Sequence, residues 1–207
     1  MTDNISGTLY LRFGPMWGSK STWLNGELTQ LADKGFTVLK IVHDEDIRDD
    51  VELCDDSGST HHSSFRKLTD KIKIIRASSL TNIDVSDYHV VGIDEGQFFQ
   101  DLYPFVENLV EKLGKHVRVV GLDGDFTKHP FNCEGMSNIL SLIPISDQAI
   151  KLTATCEICL QDLRLCGFKG NLLAMEAPFT KRKGLSTEQK VIGGHNEYIP
   201  VCRYHHL

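Results

Sequence analysis

The chain has 207 residues, 41% of them hydrophobic and 24% charged, which supplies an α/β core with a small appendage and excludes disorder as the main state. A net charge of -6 argues against general affinity for nucleic acid or an anionic membrane, so an anionic ligand has to be held locally. The N-terminus lacks the basic and apolar regions of a signal peptide and no apolar run is long enough to span a bilayer; the reading is a soluble, cytoplasmic protein whose six cysteines are thiols or metal ligands.

The first predicted strand, Thr8 to Phe13, runs into Gly14-Pro15-Met16-Trp17-Gly18-Ser19-Lys20-Ser21-Thr22. The phosphate-loop pattern G-x-x-x-x-G-K-S/T is met at Gly14, Lys20 and Ser21, but Ser19 stands where the second glycine belongs, and Gly18 comes one place early. Such a loop wraps backbone N–H groups around phosphates at a helix N-terminus, with the lysine reaching the outer phosphates and the serine hydroxyl ligating Mg²⁺. If position 19 requires a positive φ, a serine there is costly. Taken alone, the segment also fits a Gly-Pro turn leading into a helix capped by Ser19 or Ser21.

A helix is predicted over Ser21 to Lys34, with Leu24, Leu28 and Leu31 on one face and Gly35 closing it. A second strand follows at Thr37 to Val42. Asp44 to Asp56 then holds eight acids in thirteen positions, and with the small polar run Gly58 to Ser64 it reads as a mobile loop. Further strands are predicted at Lys73 to Arg76, His89 to Asp94 and Val117 to Leu122. Helices are predicted over Leu102 to Leu113, ended by Gly114, and over Glu134 to Leu142, stopped before Pro144. Short apolar runs alternating with amphipathic stretches predict a mainly parallel sheet flanked by helices. From Thr153 onward the alternation gives way to paired cysteines and glycines, which sets a boundary between residues 1–152 and 153–207.

The fourth of these strands ends in Asp94-Glu95. A carboxylate at the C-terminal end of a strand suits Mg²⁺ beside bound phosphates, and Glu95 next to it suits a general base. In isolation such an acidic pair is a polar turn; together with the upstream loop it favours a nucleotide site.

Gly14-Pro15-Met16, Lys20-Ser21-Thr22, Asp94-Glu95-Gly96-Gln97-Phe98-Phe99, Leu122-Asp123-Gly124 and Ile192-Gly193-Gly194 to Tyr198 occur in the order found in the type II thymidine kinases, and the chain resembles that family over nearly its whole length. The resemblance implies a P-loop NTPase-like kinase domain that binds ATP and a zinc-ribbon-like domain whose lasso loop closes over thymidine. It implies that Glu95 is the catalytic base, that Arg48 and Lys20 neutralise phosphate charge, and that Ser21, Asp46 and Asp94 hold Mg²⁺. Gly14, Pro15, Met16, Trp17, Gly18, Ser19, Lys20, Ser21 and Thr22 would contact the donor, with Asp46, Asp94 and Gln97 beside them. Met16, Phe98, Leu122, Phe126, Phe131 and Tyr198 would form the nucleoside pocket. Thr180 would open the lasso, and Gln189, Val191, Ile192 and Gly193 would read the base.

Cys156-x-x-Cys159 and Cys202-x-x-His205 are two short-spaced pairs that together suit a structural Zn²⁺ with no open position, His206 being the other candidate for the fourth ligand. Cys54, Cys133 and Cys166 have no partners at metal spacing and read as ordinary thiols. The resemblance further implies a homotetramer and feedback binding of dTTP. Besides Ser19, the stretch from Gln161 to Pro178 departs from the family by its length. The competing reading is a catalytically impaired nucleoside or nucleotide binder, on account of the Gly18-Ser19 order.

Overall fold

The computed structural model describes residues 6–44, 72–131, 138–166, 175–184 and 197–207, with side chains to 163 in the third of these spans. Among the described residues six parallel strands form one sheet. They are β1 (Thr8–Phe13), β2 (Val38–His43), β3 (Ile72–Ala77), β4 (Val90–Ile93), β5 (His116–Gly121) and β6 (Gln148–Lys151), in the order β3-β2-β4-β5-β1-β6. The central strands are mainly apolar, because a sheet covered on both faces has no wet side to alternate toward, but β1, β2 and β5 each bury one cation, Arg12, Lys40 and Arg118. β2 is buried at every residue.

Helix α1 (Lys20–Asp33) covers one face, setting Leu24, Leu28 and Ala32 against Val38, Val90 and Val120. Gly92 of β4 permits this approach, since a Cβ there would lie 2.6 Å from a Leu28 methyl. The helix stops in a Schellman turn: Gly35 takes φ 95, its N–H donates to Ala32 O, and the Phe36 N–H donates to Leu31 O. On the other face, α2 (Leu102–Glu107), the Asn108–Lys112 segment that continues it and the segment after β5 place Leu102, Val106, Leu109, Ile139 and Leu142 over Leu9, Leu11, Val117 and Val119.

The structure differs from the sequence reading in three places. The helix expected over Leu102 to Leu113 widens into a π-type segment at Asn108–Lys112. The third helix is not α-helical where it is described: Ile139–Ile145 is a 3₁₀ segment that includes Pro144, begun by the Asn138 side chain accepting from the Leu140 N–H. β6 was not foreseen because Gln148–Lys151 is exposed at every residue and shows no alternation.

Beyond Leu152 the parallel pattern ends. β7 (Ala154–Thr155) pairs antiparallel with β8 (Glu176–Ala177), and β9 (Phe179–Arg182) pairs antiparallel with β10 (Tyr198–Val201). Helices α3 (Glu157–Cys166) and α4 (Arg203–His206) complete this part. Among the described residues its own apolar cluster is small: Cys156, Ala177 and Val201, with Ile158, Phe179 and Ile199 against them. So little buried surface calls for a cross-link or a metal.

Candidate active site and metal centre

The loop between β1 and α1 is held in an unusual backbone path. Gly14 adopts φ 146, and a Cβ there would lie 2.3 Å from the Leu152 carbonyl oxygen, so no other residue fits. Trp17 and Ser19 also lie in the left-handed region, at φ 59 and 57. Position 19 does take the glycine-type conformation, and a serine occupies it. Gly18 sits in a close but not closed space, since its Cβ would stand 3.1 Å from Pro15 O. Neither serine caps the helix: Ser19 makes no capping bond, and the Ser21 hydroxyl donates to Asp94 Oδ1 at 3.1 Å. The capped-turn alternative is therefore not what forms. Lys20 is buried and its ammonium donates to Pro15 O at 2.6 Å, lying inside the curve of the loop.

Asp94 follows β4 and is buried, with 3% exposure. Its Oδ1 also accepts from the Glu95 N–H, and its Oδ2 lies 3.3 Å from Nζ of Lys40, a lysine 1% exposed in the middle of β2. Glu95 is the next residue and adopts φ 51, a left-handed conformation that costs a non-glycine residue roughly 1–3 kcal/mol. Its Oε2 accepts from Gln97 Nε2 at 2.6 Å, and Gln97 Oε1 in turn accepts from the Leu122 N–H at 2.8 Å. Gly121 makes room for this amide, because a Cβ there would lie 2.3 Å from Gln97 Oε1. One polar path thus joins Ser21, Asp94, Glu95, Gln97 and Leu122 across the C-terminal ends of β1, β4 and β5, where open parallel sheets bind ligands.

Aromatic groups flank this path. The rings of Phe98 and Phe131 meet edge to face at 6.0 Å, and His43 packs on Phe98 at 5.5 Å. Phe126 lies under the Arg182 guanidinium at 3.9 Å, and Arg182 donates to the Tyr198 hydroxyl at 2.6 Å. Thr180 Oγ1 accepts from the Met16 N–H at 3.0 Å, which seats β9 against the loop after β1.

Nδ1 of His205 lies 3.4 Å from the sulfur of each of Cys156, Cys159 and Cys202, and Cys159 Sγ lies 3.9 Å from Cys202 Sγ. Four donors tetrahedrally around zinc, with Zn–S of roughly 2.3 Å and Zn–N of roughly 2.0–2.1 Å, would stand about 3.6–3.8 Å apart. The donor set fits that ion. Burial pushes the Cys159 thiol up to about 12. At Cys156 burial acts the same way, but hydrogen bonds from the backbone at Cys159 and Cys202 and from His205 outweigh it and bring the thiol down to about 7. Three crowded sulfurs ionise together when a cation is among them.

A family model described as Thymidine kinase matches residues 7–206. The chain is 36% identical over 199 residues to "Thymidine kinase" of Vaccinia virus (strain Tian Tan), covering 95% of each chain. It is 36% identical over 198 residues to "Thymidine kinase" of Monkeypox virus, again covering 95% of each. It is 35% identical over 205 residues to "Thymidine kinase a" of Arabidopsis thaliana, covering 98% of this chain and 76% of that one.

The chain belongs to the thymidine kinase family. Of the residues that the family resemblance singles out, this thymidine kinase family member brings together Ser21, Asp94 and Glu95, with Gln97 bridging Glu95 and Leu122, while Lys20 turns to the Pro15 carbonyl. Phe98 pairs with Phe131, and Phe126 joins Tyr198 through Arg182. Asp46, Arg48, Gln189, Val191, Ile192 and Gly193 lie outside the described residues, as do Cys54, Cys133 and most of the acidic loop. His205 lies in the metal cluster, while His206 turns to the Phe126 carbonyl. Sequence reasoning passed over Lys40, His43 and Arg182. Only Lys40 left a signal, a charge inside an otherwise apolar strand.

Proposed function

We propose that the protein transfers the γ-phosphate of ATP to the 5′-hydroxyl of thymidine, giving dTMP and ADP. The observation that carries this reading is the buried path Ser21–Asp94–Glu95–Gln97, built beside a phosphate loop in a chain of the thymidine kinase family. Lys20 would leave the Pro15 carbonyl for the outer phosphates. Ser21 and Asp94, with Asp46, would hold Mg²⁺, whose charge screens the phosphates when it is bound. Glu95 would accept the hydroxyl proton; its backbone strain and its bond from Gln97 fix where that carboxylate points. Because phosphoryl transfer has a loose transition state, positioning and charge neutralisation by Lys20 and Arg48 matter more than base strength.

In the same reading residues 1–152 form the P-loop kinase domain and 153–207 the zinc-binding lasso domain, with Zn²⁺ held by Cys156, Cys159, Cys202 and His205. Met16, Phe98, Leu122, Phe126, Phe131, Thr180 and Tyr198 would face the nucleoside, together with Gln189, Val191, Ile192 and Gly193. A homotetramer, feedback by dTTP and a cytoplasmic location rest on kinship alone. Among the described residues no helix is long and apolar enough to cross a membrane.

A coupled assay of ADP release with thymidine, with deoxycytidine and with no nucleoside tests the reading. Thymidine-dependent release is expected, and Glu95→Gln should lower kcat by roughly a hundredfold or more. Equal ADP release with and without nucleoside would overturn it. The second reading, an impaired binder, is favoured by one observation, the serine at φ 57 in the phosphate loop, and would show as tight nucleoside binding without turnover.

A further inference from the structure

We propose that His206 is a positioning residue through which the metal-bearing end of the chain sets the affinity for the nucleoside; the proposal rests on the functional reading above. Adjacent histidines of α4 do different work. His205 places Nδ1 among the three sulfurs, whereas His206 donates from Nε2 to the Phe126 carbonyl at 3.0 Å and packs its ring edge-on against Phe179 at 5.6 Å. The metal cluster therefore has a fixed lever one residue long onto the loop after β5.

That loop is rigid within itself. Asp125 Oδ1 accepts from the Thr127 N–H, the Thr127 hydroxyl and the His129 N–H, and the Asp125 N–H donates to His129 O at 2.8 Å. A turn tied this way moves as a body, so its outside attachments decide where the Phe126 ring stands. Two of them come from the C-terminal part: His206 on the Phe126 backbone and Arg182 over its ring at 3.9 Å. Arg182 is itself held by the Tyr198 hydroxyl, and Lys181 fixes the end of α4 by donating to the carbonyls of His205 and Leu207. The pocket wall carrying Phe126 is thereby registered to the Cys₃His cluster instead of to β5 alone.

The test measures kcat, KM for thymidine, KM for ATP and bound zinc in the wild type, His206→Ala and His206→Gln. Losing one partly buried hydrogen bond that orients a pocket wall should raise the thymidine KM about fivefold in His206→Ala. ATP KM and zinc content should stay as in the wild type, and His206→Gln, which keeps an N–H donor, should recover most of the affinity. An unchanged thymidine KM in His206→Ala would overturn the proposal, as would equal rises in both KM values. Zinc loss in both variants would overturn it too, since His206 would then serve the metal site. If the wild type shows no thymidine-dependent turnover, the functional reading fails first and takes the proposal with it.

Discussion

Ser19 holds a left-handed φ of 57 at the N-terminus of α1, where a side chain costs about 1–2 kcal/mol relative to glycine. Ser19→Gly should therefore stabilise the protein by about 1 kcal/mol and raise its Tm, and an unchanged Tm would show that the loop bears no such strain. Exchanging the two letters is a worse test, because the added Cβ at position 18 would press on Pro15 O. Lys40 makes the opposite prediction. Lys40→Met leaves the Asp94 carboxylate buried without its ammonium partner and should cost about 3–5 kcal/mol in urea denaturation. A cost below about 1 kcal/mol would mean that Asp94 is satisfied by Ser21 and the Glu95 N–H. The bend at Gly14 and the meeting of Ser21 with Asp94 and Glu95 could be anticipated from the sequence, because each belongs to a short motif at the end of an apolar strand. The partners of Lys40 and His206 could not, since they arise only when strands and loops far apart in the chain meet.

Among the elements, α1 was legible from Leu24, Leu28 and Gly35, and the buried strands from their mainly apolar runs, interrupted by Arg12, Lys40 and Arg118. β6 was hidden for the converse reason: an edge strand with an exposed surface carries no hydrophobic pattern. The 3₁₀ segment at Ile139–Ile145 was misread because Pro144 serves inside it rather than after it. Leu28→Ala should cost about 2–5 kcal/mol, as the emptied site lies between α1 and Gly92, where the backbone cannot close up freely. The connection before α2 gives a pH prediction. Burial would raise the Asp101 pKa, but the hydroxyls of Thr81 and Ser79 and the N–H groups of Leu80 and Thr81 outweigh it and hold the carboxyl below its ordinary value. Its stabilising contribution is thus complete above an unfolded-state pKa of about 3.9 and is lost as pH falls through the lower folded value. Asp101→Asn should remove that part of the acid dependence, seen as a shallower fall of Tm below about pH 4; an unaltered profile would show that Asp101 does not contribute.

For the molecule as a whole, the parallel sheet and the Cys₃His part differ in what stabilises them. The sheet has apolar cores on both faces, while the described C-terminal part has a small apolar cluster and a Cys₃His group that could hold a metal. Removing zinc with a chelator should therefore strip hydrogen-exchange protection from the β9–β10 hairpin while β1, β2, β4 and β5 keep theirs. Loss of protection in both together would contradict the division at residue 152. The order of strands has a further consequence for synthesis. β1 begins at Thr8, yet its neighbours are β5, which begins at His116, and β6, which begins at Gln148. A nascent chain has to carry an unpaired β1 until β5 has left the ribosome, so the loop after β1 is translated long before it can take shape.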